Sequence, residues 1–400
     1  DTKLARRPKA SHVIQLCFYS WLLEEAQGVA PRFMHIVLGD GSLSTHRYAD
    51  YSRYFHRLRE RTRRAVEERR TDTYPDPCEQ CETCRWNARC ESQRIADDHL
   101  WQVAGITRTQ IRRLHDADIR SMQALAQVPA TQHVPKMSPD TLARARAQAA
   151  MQVRGLKAGR PCFELKPPEP ERGFRRLPPP SEGDLYFDME GDPLHEDNGL
   201  EYLFGVSWRE AGELRFRAFW AHDRAAEKAA FEAFIDWVQA RLQRWPDLHI
   251  YHYASYENTA LKRLMSLHGT RERQVDDFLR QRRLVDLYRV VTEALVASTD
   301  SYSIKKIETF YSPAGRSGEV TNAGASVVWY ERWRETQDAQ LLEDIERYNR
   351  DDCESTAELH AWLRRVRPDT LEWRSVGAAS PAEDDEPNER EPMDDRARER

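Results

Sequence analysis

The spacing of apolar and polar positions divides the first half of the chain into two kinds of segment. Apolar residues recur at helical spacing from Ala10 to Gln27, and a short apolar run from Phe33 to Leu38 predicts a strand. A highly charged helix is predicted from Tyr51 to Arg70, and its glutamates favour a solvated face over a basic patch. Residues 97–157 show the pattern of several short helices. The first half therefore predicts a mixed helix and strand segment followed by a helical one.

Prolines mark the clearest break in this pattern. Pro167, Pro168, Pro170 and the run Pro178–Pro180 predict a stiff, extended linker. At the other end, Ala382–Arg400 is rich in charge and proline, and its few large apolar residues predict disorder. The predicted segments are 1–96, a helical connector at 97–160 that resembles helix–hairpin–helix modules, a linker at 161–181, a main domain at 182–375 and a charged tail at 376–400.

Beyond the linker, the apolar pattern changes from helical spacing to short strands. Three strands, one long helix, a fourth strand and then mostly helices to about Arg367 are predicted. This order is typical of an α/β fold with a mixed sheet. The predicted elements are strands at Leu185–Asp188, Tyr202–Trp208, Leu214–Trp220 and His249–Tyr253, with the helix at Arg224–Trp245 between the last two strands.

Composition narrows the class of protein without naming its ligand. The longest apolar runs are too short to span a membrane, and the start of the chain has no pattern of a secretory leader. The net charge of −5 gives no electrostatic argument for or against nucleic acid. Seven cysteines, four of them within residues 78–90, favour a metal site in a reducing cytoplasm over a disulfide scaffold. The chain begins with Asp1 rather than Met, so a fragment is expected.

Two carboxylates at the end of the first strand of the main domain are the strongest chemical signal. Alternation along a strand puts Asp188 and Glu190 on the same face. Two negative charges so close repel each other unless a cation lies between them. Such a pair suits the two-metal sites that catalyse phosphoryl transfer.

A second signal lies on the helix predicted from Leu341 to Arg365. Tyr348 and Asp352 are four residues apart, so they are neighbours on one helical face. Asp352 could complete a metal site, and Tyr348 could orient an attacking water. Taken alone, the pair fits an exposed helix equally well.

Together these motifs resemble the DnaQ-like, DEDD-type exonucleases of the tyrosine subclass. The middle motif of that family corresponds to Ile250–Asn258, where Glu257 stands in place of the usual Asp. The YprB-like branch of this family typically has the pattern H-Y-x-x-Y-E here, and residues His252–Glu257 match it. Asp286 is the competing candidate for this ligand, with a helix N-cap as its alternative role. His252 is either a substrate contact or a structural residue.

This resemblance implies an RNase H-like, DnaQ-type domain at residues 182–375 that acts as a 3′–5′ exonuclease on DNA or RNA. It implies two Mg²⁺ or Mn²⁺ ions, held by four carboxylates, with Tyr348 orienting the water. Glu has a longer side chain than Asp, so the position of the second metal would shift. The four implied metal ligands are Asp188, Glu190, Glu257 and Asp352.

The cysteine spacing is a dense metal-binding pattern. Cys78, Cys81, Cys84 and Cys90 lie within thirteen residues and could hold zinc or a [4Fe–4S] cluster. By spacing alone, four ligands so close together favour zinc.

Upstream residues add a second resemblance. Asp1 and Lys3 match the end of a PD-(D/E)xK nuclease motif, and Gln15 and Tyr19 follow one helical turn apart. With the cysteines, this order resembles RecB-like nucleases that carry an iron–sulfur cluster. The resemblance matches Cys81, Cys84 and Cys90 to three cluster ligands. It implies that residues 1–96 are a truncated, inactive nuclease remnant, and that a fused or partner helicase is expected.

Three functional hypotheses follow from these motifs. The leading one is a metal-dependent exonuclease. The main alternative is a catalytically weak, nuclease-derived scaffold that holds nucleic acid for a helicase. A third is a zinc-dependent protein-interaction module, in which the cysteines act alone. Whether four carboxylates converge on one site distinguishes the first hypothesis from the second.

Overall fold

The computed structural model describes residues 1–374, apart from residues 4, 6, 70–73, 82–83, 196–198 and 313–322. The chain divides into two compact units. One consists of Asp1–Pro75 with Asp192–Leu200, and the other of Asp76–Gly191 with the described residues from Glu201 onward. The cysteine segment, residues 78–90, therefore belongs to the second unit. The tail predicted to be disordered, 376–400, lies outside the described residues.

The first unit combines two helices with a hairpin. Its elements are α1 (Ala10–Gln27), β1 (Phe33–Val37), β2 (Leu43–Arg47) and α2 (Tyr48–Glu67). The strands pair antiparallel from Phe33 opposite Arg47 to Val37 opposite Leu43. Alternation along β1 buries Met34 and Ile36 against α1. The sequence-predicted helix at Ala10–Gln27 and the strand from Phe33 are confirmed, and α2 begins three residues earlier than predicted.

The second unit begins with a helical part that has its own small core. Its helices are α3 (Asn87–Ala96), α4 (Arg108–Asp116), α5 (Met122–Ala126) and α6 (Pro139–Ala158). The side chains of Thr107, Ser121 and Ser138 cap the helices α4, α5 and α6 by accepting hydrogen bonds from backbone amides. Leu100, Leu114 and other apolar residues of this part are fully buried.

The larger part of the second unit is a five-stranded sheet covered by helices. Its elements are β3 (Phe163–Leu165), β4 (Leu185–Asp192), β5 (Leu200–Glu210), β6 (Glu213–Trp220), α7 (Arg224–Arg244), β7 (Ile250–His252), α8 (Tyr256–His268), α9 (Glu272–Arg280), β8 (Leu284–Asp286), α10 (Leu287–Ala294), β9 (Leu295–Ala297), α11 (Ile304–Ile307), α12 (Ala323–Thr336) and α13 (Ala339–Val366).

The sheet has the order β6-β5-β4-β7-β8. β5 and β6 pair antiparallel, whereas β7 pairs parallel with both β4 and β8. The sheet is therefore mixed, and the predicted α/β fold class is confirmed. None of the described helices has both the length and the apolar character that a membrane span requires.

The two faces of β4 pack into different cores. Leu185, Phe187 and Met189 point into a core that includes residues of α7, α8 and α9. Tyr186, one residue out of phase, belongs to a core that includes residues of α10 and α13. Because side chains alternate along a strand, positions 188 and 190 share the face of Tyr186 and are directed towards the α13 side.

The structure differs from the sequence prediction in three short strands. β8 and β9 lie in the region predicted to be mostly helical, and β3 lies inside the predicted linker. Each has three residues, which is too short for strand alternation to be recognised. β3 pairs antiparallel with β9, and Phe174 and Leu177 of the proline-rich segment are buried in the core beside α10. This segment is therefore packed against the domain rather than freely extended.

Candidate metal-binding active site

Three carboxylates converge where β4 meets α13. Asp188 and Glu190 come from the central strand, and Asp352 comes from the middle of the helix. All three are buried, and each provides an oxygen within 4.8 Å of the others. We call these residues the carboxylate trio. Three buried negative charges at this separation repel strongly, so a divalent cation is the natural counter-charge.

The helix α13 approaches the sheet closely because β5 has a glycine at the contact. Asn349, one turn before Asp352, is fully buried, and its Nδ2 donates a 2.7 Å hydrogen bond to Asp188 Oδ2. A Cβ atom at Gly205 would lie only 1.6 Å from Asn349 Oδ1. Cys353 Sγ also donates to the carbonyl oxygen of Gly205, at 3.3 Å. Gly205 therefore provides the space in which Asn349 reaches Asp188.

Tyr348 lies on the same helix, one turn before Asp352. Its side chain is buried. The Lys305 ammonium of α11 lies 5.4 Å from the centroid of the Tyr348 ring, a cation–π distance. The structure thus brings the predicted tyrosine next to the helical turn that carries Asp352 and adds a positive charge beside it.

Glu257 lies in the first turn of α8 and is almost completely buried. Its Oε2 is 3.5 Å from Nδ1 of His252, at the end of β7. Within the described part of the chain, it does not join the three carboxylates that meet within 4.8 Å. Burial alone would lower the pKa of His252, but the neighbouring carboxylates of Glu257 and Asp286 outweigh this effect and raise the pKa. His252 is thus a buried neighbour of Glu257.

Asp286 shapes the turn that leads to Glu257. Its Oδ1 accepts hydrogen bonds from the amides of Tyr288 at 2.8 Å and Ala254 at 3.0 Å. The first bond caps α10, and the second holds Ala254 in the left-handed region, with φ of 72°. His252 Nδ1 donates to the carbonyl oxygen of Ala254 at 2.7 Å. Burial raises the pKa of Asp286, although His252 and Arg289 oppose the rise. Asp286 is thus the N-cap of α10.

A protein-family model matches the part of the chain that contains these carboxylates. Residues 185–364 match RNase_H_2, a model of the RNase H superfamily. This stretch is similar to the RNase H superfamily. The matched region contains the whole trio together with Glu257 and Tyr348. The superfamily indicates a metal-dependent nuclease with a nucleic-acid substrate, and the acidic cluster is consistent with Mg²⁺ or Mn²⁺. No curated protein and no solved structure matches the chain.

In the first unit, the predicted PD-(D/E)xK residues form a chain of contacts. Lys3 Nζ lies 3.0 Å from Asp1 Oδ2 and donates a 2.8 Å hydrogen bond to Gln15 Oε1. Gln15 Nε2 donates to the Tyr19 hydroxyl at 2.5 Å. Thr2 forms a parallel bridge with Val37, which brings this segment beside β1. The four side chains are therefore neighbours.

The cysteines form one close pair. The sulfurs of Cys78 and Cys81 are 3.8 Å apart, and the Cys81 amide donates to the Cys78 carbonyl oxygen at 2.9 Å. Cys90 lies in α3. Among the described residues, no three thiols lie within 4.8 Å of one another.

Sequence reasoning missed Asn349 and Gly205. Asn349 stands between Tyr348 and Asp352 in the recognised motif, and a buried amide three residues before a candidate ligand is the signal that could have identified it. Gly205 had no local signal, because its role depends on a helix that is distant in sequence.

Replacing Gly205 by Ala should destabilise the domain by about 1–3 kcal/mol, because the new methyl group overlaps Asn349. The clash should be relieved when Asn349 is also shortened to Ala. We therefore expect the double variant Gly205→Ala/Asn349→Ala to be more stable than the sum of the two single changes predicts, by at least about 0.5 kcal/mol. Urea unfolding of the wild type and the three variants measures this coupling.

The single variant Asn349→Ala is the matched control in this cycle, because it removes the hydrogen bond to Asp188 without adding volume. Strict additivity of the two changes would contradict the contact between Gly205 and Asn349.

Proposed function

We propose that the RNase H-like domain is a 3′–5′ exonuclease that hydrolyses single-stranded DNA or RNA with two divalent cations. The observation that carries the proposal is the convergence of Asp188, Glu190 and Asp352 within 4.8 Å in a domain of this superfamily. The donor set fits the group, because Mg²⁺ and Mn²⁺ prefer carboxylate oxygens. The exonuclease type and its polarity rest on the resemblance to the DEDD family.

In this proposal, Asp188, Glu190 and Asp352 would hold the Mg²⁺ or Mn²⁺ ions, and Glu257 would add a fourth carboxylate. Bound cations would activate the attacking water and stabilise the charge that develops on the phosphate. Asn349 fixes the orientation of Asp188 through its 2.7 Å hydrogen bond. An outer partner of this kind holds a ligand in the orientation that binds metal.

Tyr348 is proposed to orient the attacking water. It lies one helical turn from Asp352, and burial restricts its ring to a narrow range of positions. Lys305 beside the ring adds a positive charge. Its attraction for a phosphate would favour a strand end close to Tyr348.

The test uses 5′-labelled single-stranded DNA and, separately, RNA, with Mg²⁺, Mn²⁺ or EDTA. We expect a ladder that shortens from the 3′ end, is lost in EDTA and is lost in Asp188→Ala. A circular single strand should remain intact, because it offers no end. Cleavage of the circle would indicate an endonuclease instead, and an active Asp188→Ala variant would reject the site.

The alternative is a catalytically weak scaffold that binds nucleic acid, with a fused or partner helicase. The contact between Glu257 and His252 favours it, because Glu257 is engaged outside the trio. Intact substrate under conditions where the chain still binds the strand would support the scaffold. Restoration of cleavage by Glu257→Asp would then identify this position as the cause.

For the cysteine segment we propose a bound metal, either a [4Fe–4S] cluster, as the RecB-like resemblance implies, or zinc. Two sulfurs bound to one zinc at about 2.3 Å in tetrahedral geometry lie about 3.8 Å apart. The 3.8 Å between Cys78 and Cys81 fits that value and favours zinc. The metal content and visible absorption of the purified protein, measured beside Cys78→Ser, decide between the two.

The relation of the first unit to RecB-like nucleases is also a proposal. It is supported by the contact chain from Asp1 through Lys3 and Gln15 to Tyr19. In PD-(D/E)xK sites the acidic residue binds metal and the lysine stabilises charge on the phosphate. We assign no activity to this unit.

A further inference from the structure

A cleft of about 540 Å³ opens on the second unit where α6 meets the turn that follows α11. Its wall includes Arg154 and Arg160 from the end of α6 and the loop after it, together with Phe163, Thr309 and Phe310. We call it the arginine cleft. Its size falls in the range of sites that hold small molecules or single nucleotides.

The charge of the arginine cleft is positive. Among the described residues that line it, two are arginines and none is acidic. Arg154 forms an ion pair with Glu164, the residue after Phe163, which offsets the charge of Arg154. Arg160 is exposed and follows Gly159, the residue that ends α6 in the left-handed conformation. A planar guanidinium at this rim can bind a phosphate with two parallel hydrogen bonds.

The aromatic side of the cleft is rigid. The rings of Phe163 and Phe310 meet edge to face, with centroids 5.4 Å apart. Both also contact Trp362 of α13, at 5.1 Å and 5.8 Å. Aromatic rings fixed beside a positive charge are the combination that binds single-stranded nucleic acid, through base stacking and phosphate contacts.

The cleft and the trio are connected by α13. Trp362 follows Asp352 by ten residues on this helix, which corresponds to about 15 Å along its axis. A stacked strand advances about 3.4 Å per nucleotide, so this distance spans about four nucleotides. The short helix α11 runs between the two places, because Lys305 contacts Tyr348 and Thr309 and Phe310 line the cleft.

We propose that the arginine cleft binds one nucleotide of the single strand whose 3′ end lies at the trio, about four nucleotides to its 5′ side. The nature of the ligand rests on the proposed function. Arg160 contacts the phosphate, and Phe163 and Phe310 support the base. The cleft thereby requires a strand several nucleotides long and makes short fragments poor ligands.

The test is equilibrium binding of the full chain to fluorescein-labelled oligothymidylate and oligouridylate, by fluorescence anisotropy in EDTA. We expect Arg160→Glu to weaken binding of a 12-mer about tenfold and to lower the slope of log K against log salt by about one. Binding of a 3-mer, too short to reach the cleft from the trio, should not change. The control Arg273→Glu makes the same charge change on α9, an exposed position on the other side of the sheet.

Equal affinity of the wild type and Arg160→Glu for the 12-mer would overturn the proposal, and so would an equal loss in Arg273→Glu. The outcome is separate from catalysis, because no metal is present. A chain that cleaves nothing but binds the 12-mer through Arg160 would reject the nuclease and support the cleft. Cleavage of long strands with unchanged kcat/KM in Arg160→Glu would support the nuclease and reject the cleft.

Discussion

Replacing Asp352 by Asn should lower nuclease activity by at least about 10³-fold while making the metal-free protein more stable. Loss of an outer partner of a metal ligand costs about 10–100-fold, and loss of a ligand should cost more. In the absence of metal, the substitution removes one of three mutually repelling buried charges. If this relief amounts to about 1 kcal/mol, the Tm of a domain of this size rises by about 2–4 °C.

Lower activity together with higher stability of the metal-free protein would distinguish a metal site from a structural cluster of carboxylates. Saturating Mg²⁺ should raise the Tm of the wild type, because a ligand that binds only the folded state stabilises it, and should not raise that of Asp352→Asn. Asp351→Asn is the matched control: the same chemical change, one residue away on α13 and outside the trio. Lower stability of Asp352→Asn without metal would contradict the repulsion, and an active variant would contradict the role of Asp352.

The carboxylates of β4 could be predicted from the sequence because the physical rule is local. Alternation along a strand puts Asp188 and Glu190 on one face whatever else the chain does. Their proximity to Asp352 could be predicted only from the family resemblance, because no local rule brings residue 352 close to residue 188. The structure shows how these carboxylates come together. Asp188 and Glu190 lie on the same face of β4 as Tyr186, which is the face towards α13, and Gly205 leaves space for this helix to approach the sheet.

The polar residues around the site could not be assigned in the same way. Asp286 was an ambiguous candidate because a carboxylate before a helix suits both a metal and an N-cap. The sequence does not show that its carboxylate accepts hydrogen bonds from the amides of Tyr288 and Ala254, which the structure does. Glu257 was identified by its motif, but its proximity to His252 depends on a turn held in a left-handed conformation at Ala254. Sequence patterns do not predict such conformations for an alanine.

A buried histidine on the α13 side of the sheet should make the RNase H-like domain sensitive to acid. His360 Nδ1 and the Tyr186 hydroxyl share a 3.2 Å hydrogen bond, and the His360 ring stacks on Tyr251 with centroids 3.9 Å apart. Burial lowers the pKa of His360 to about 3. The unfolded chain therefore takes up a proton below about pH 6.5, and the folded chain does not until about pH 3.

The direction in which stability changes with pH follows from this difference in bound protons. Stability from His360 is fully present above about pH 6.5 and is lost as the pH falls from there towards 3. Between pH 7.5 and 5.0 the loss is about 2 kcal/mol. Burial also lowers the pKa of His249 to about 3, which acts in the same direction. Burial raises the pKa of Asp184 to about 7. The stability that Asp184 contributes is present at low pH and is lost as the pH rises from about 4 to 7, so it opposes the effect of the two histidines.

The variant His360→Phe isolates one of these contributions. It should be less stable than the wild type at pH 7.5, because the Tyr186 hydroxyl loses its partner, at a cost of about 1–3 kcal/mol. Between pH 7.5 and 5.0, however, it should lose about 2 kcal/mol less than the wild type, as measured by urea unfolding with tryptophan fluorescence. His133→Phe, at an exposed imidazole, should leave the pH dependence of the wild type in place. An identical pH dependence in His360→Phe and the wild type would mean that the His360 imidazole takes up its proton in the folded state as readily as in the unfolded chain. The site between the sheet and α13 would then have to be open to water, which its complete burial argues against.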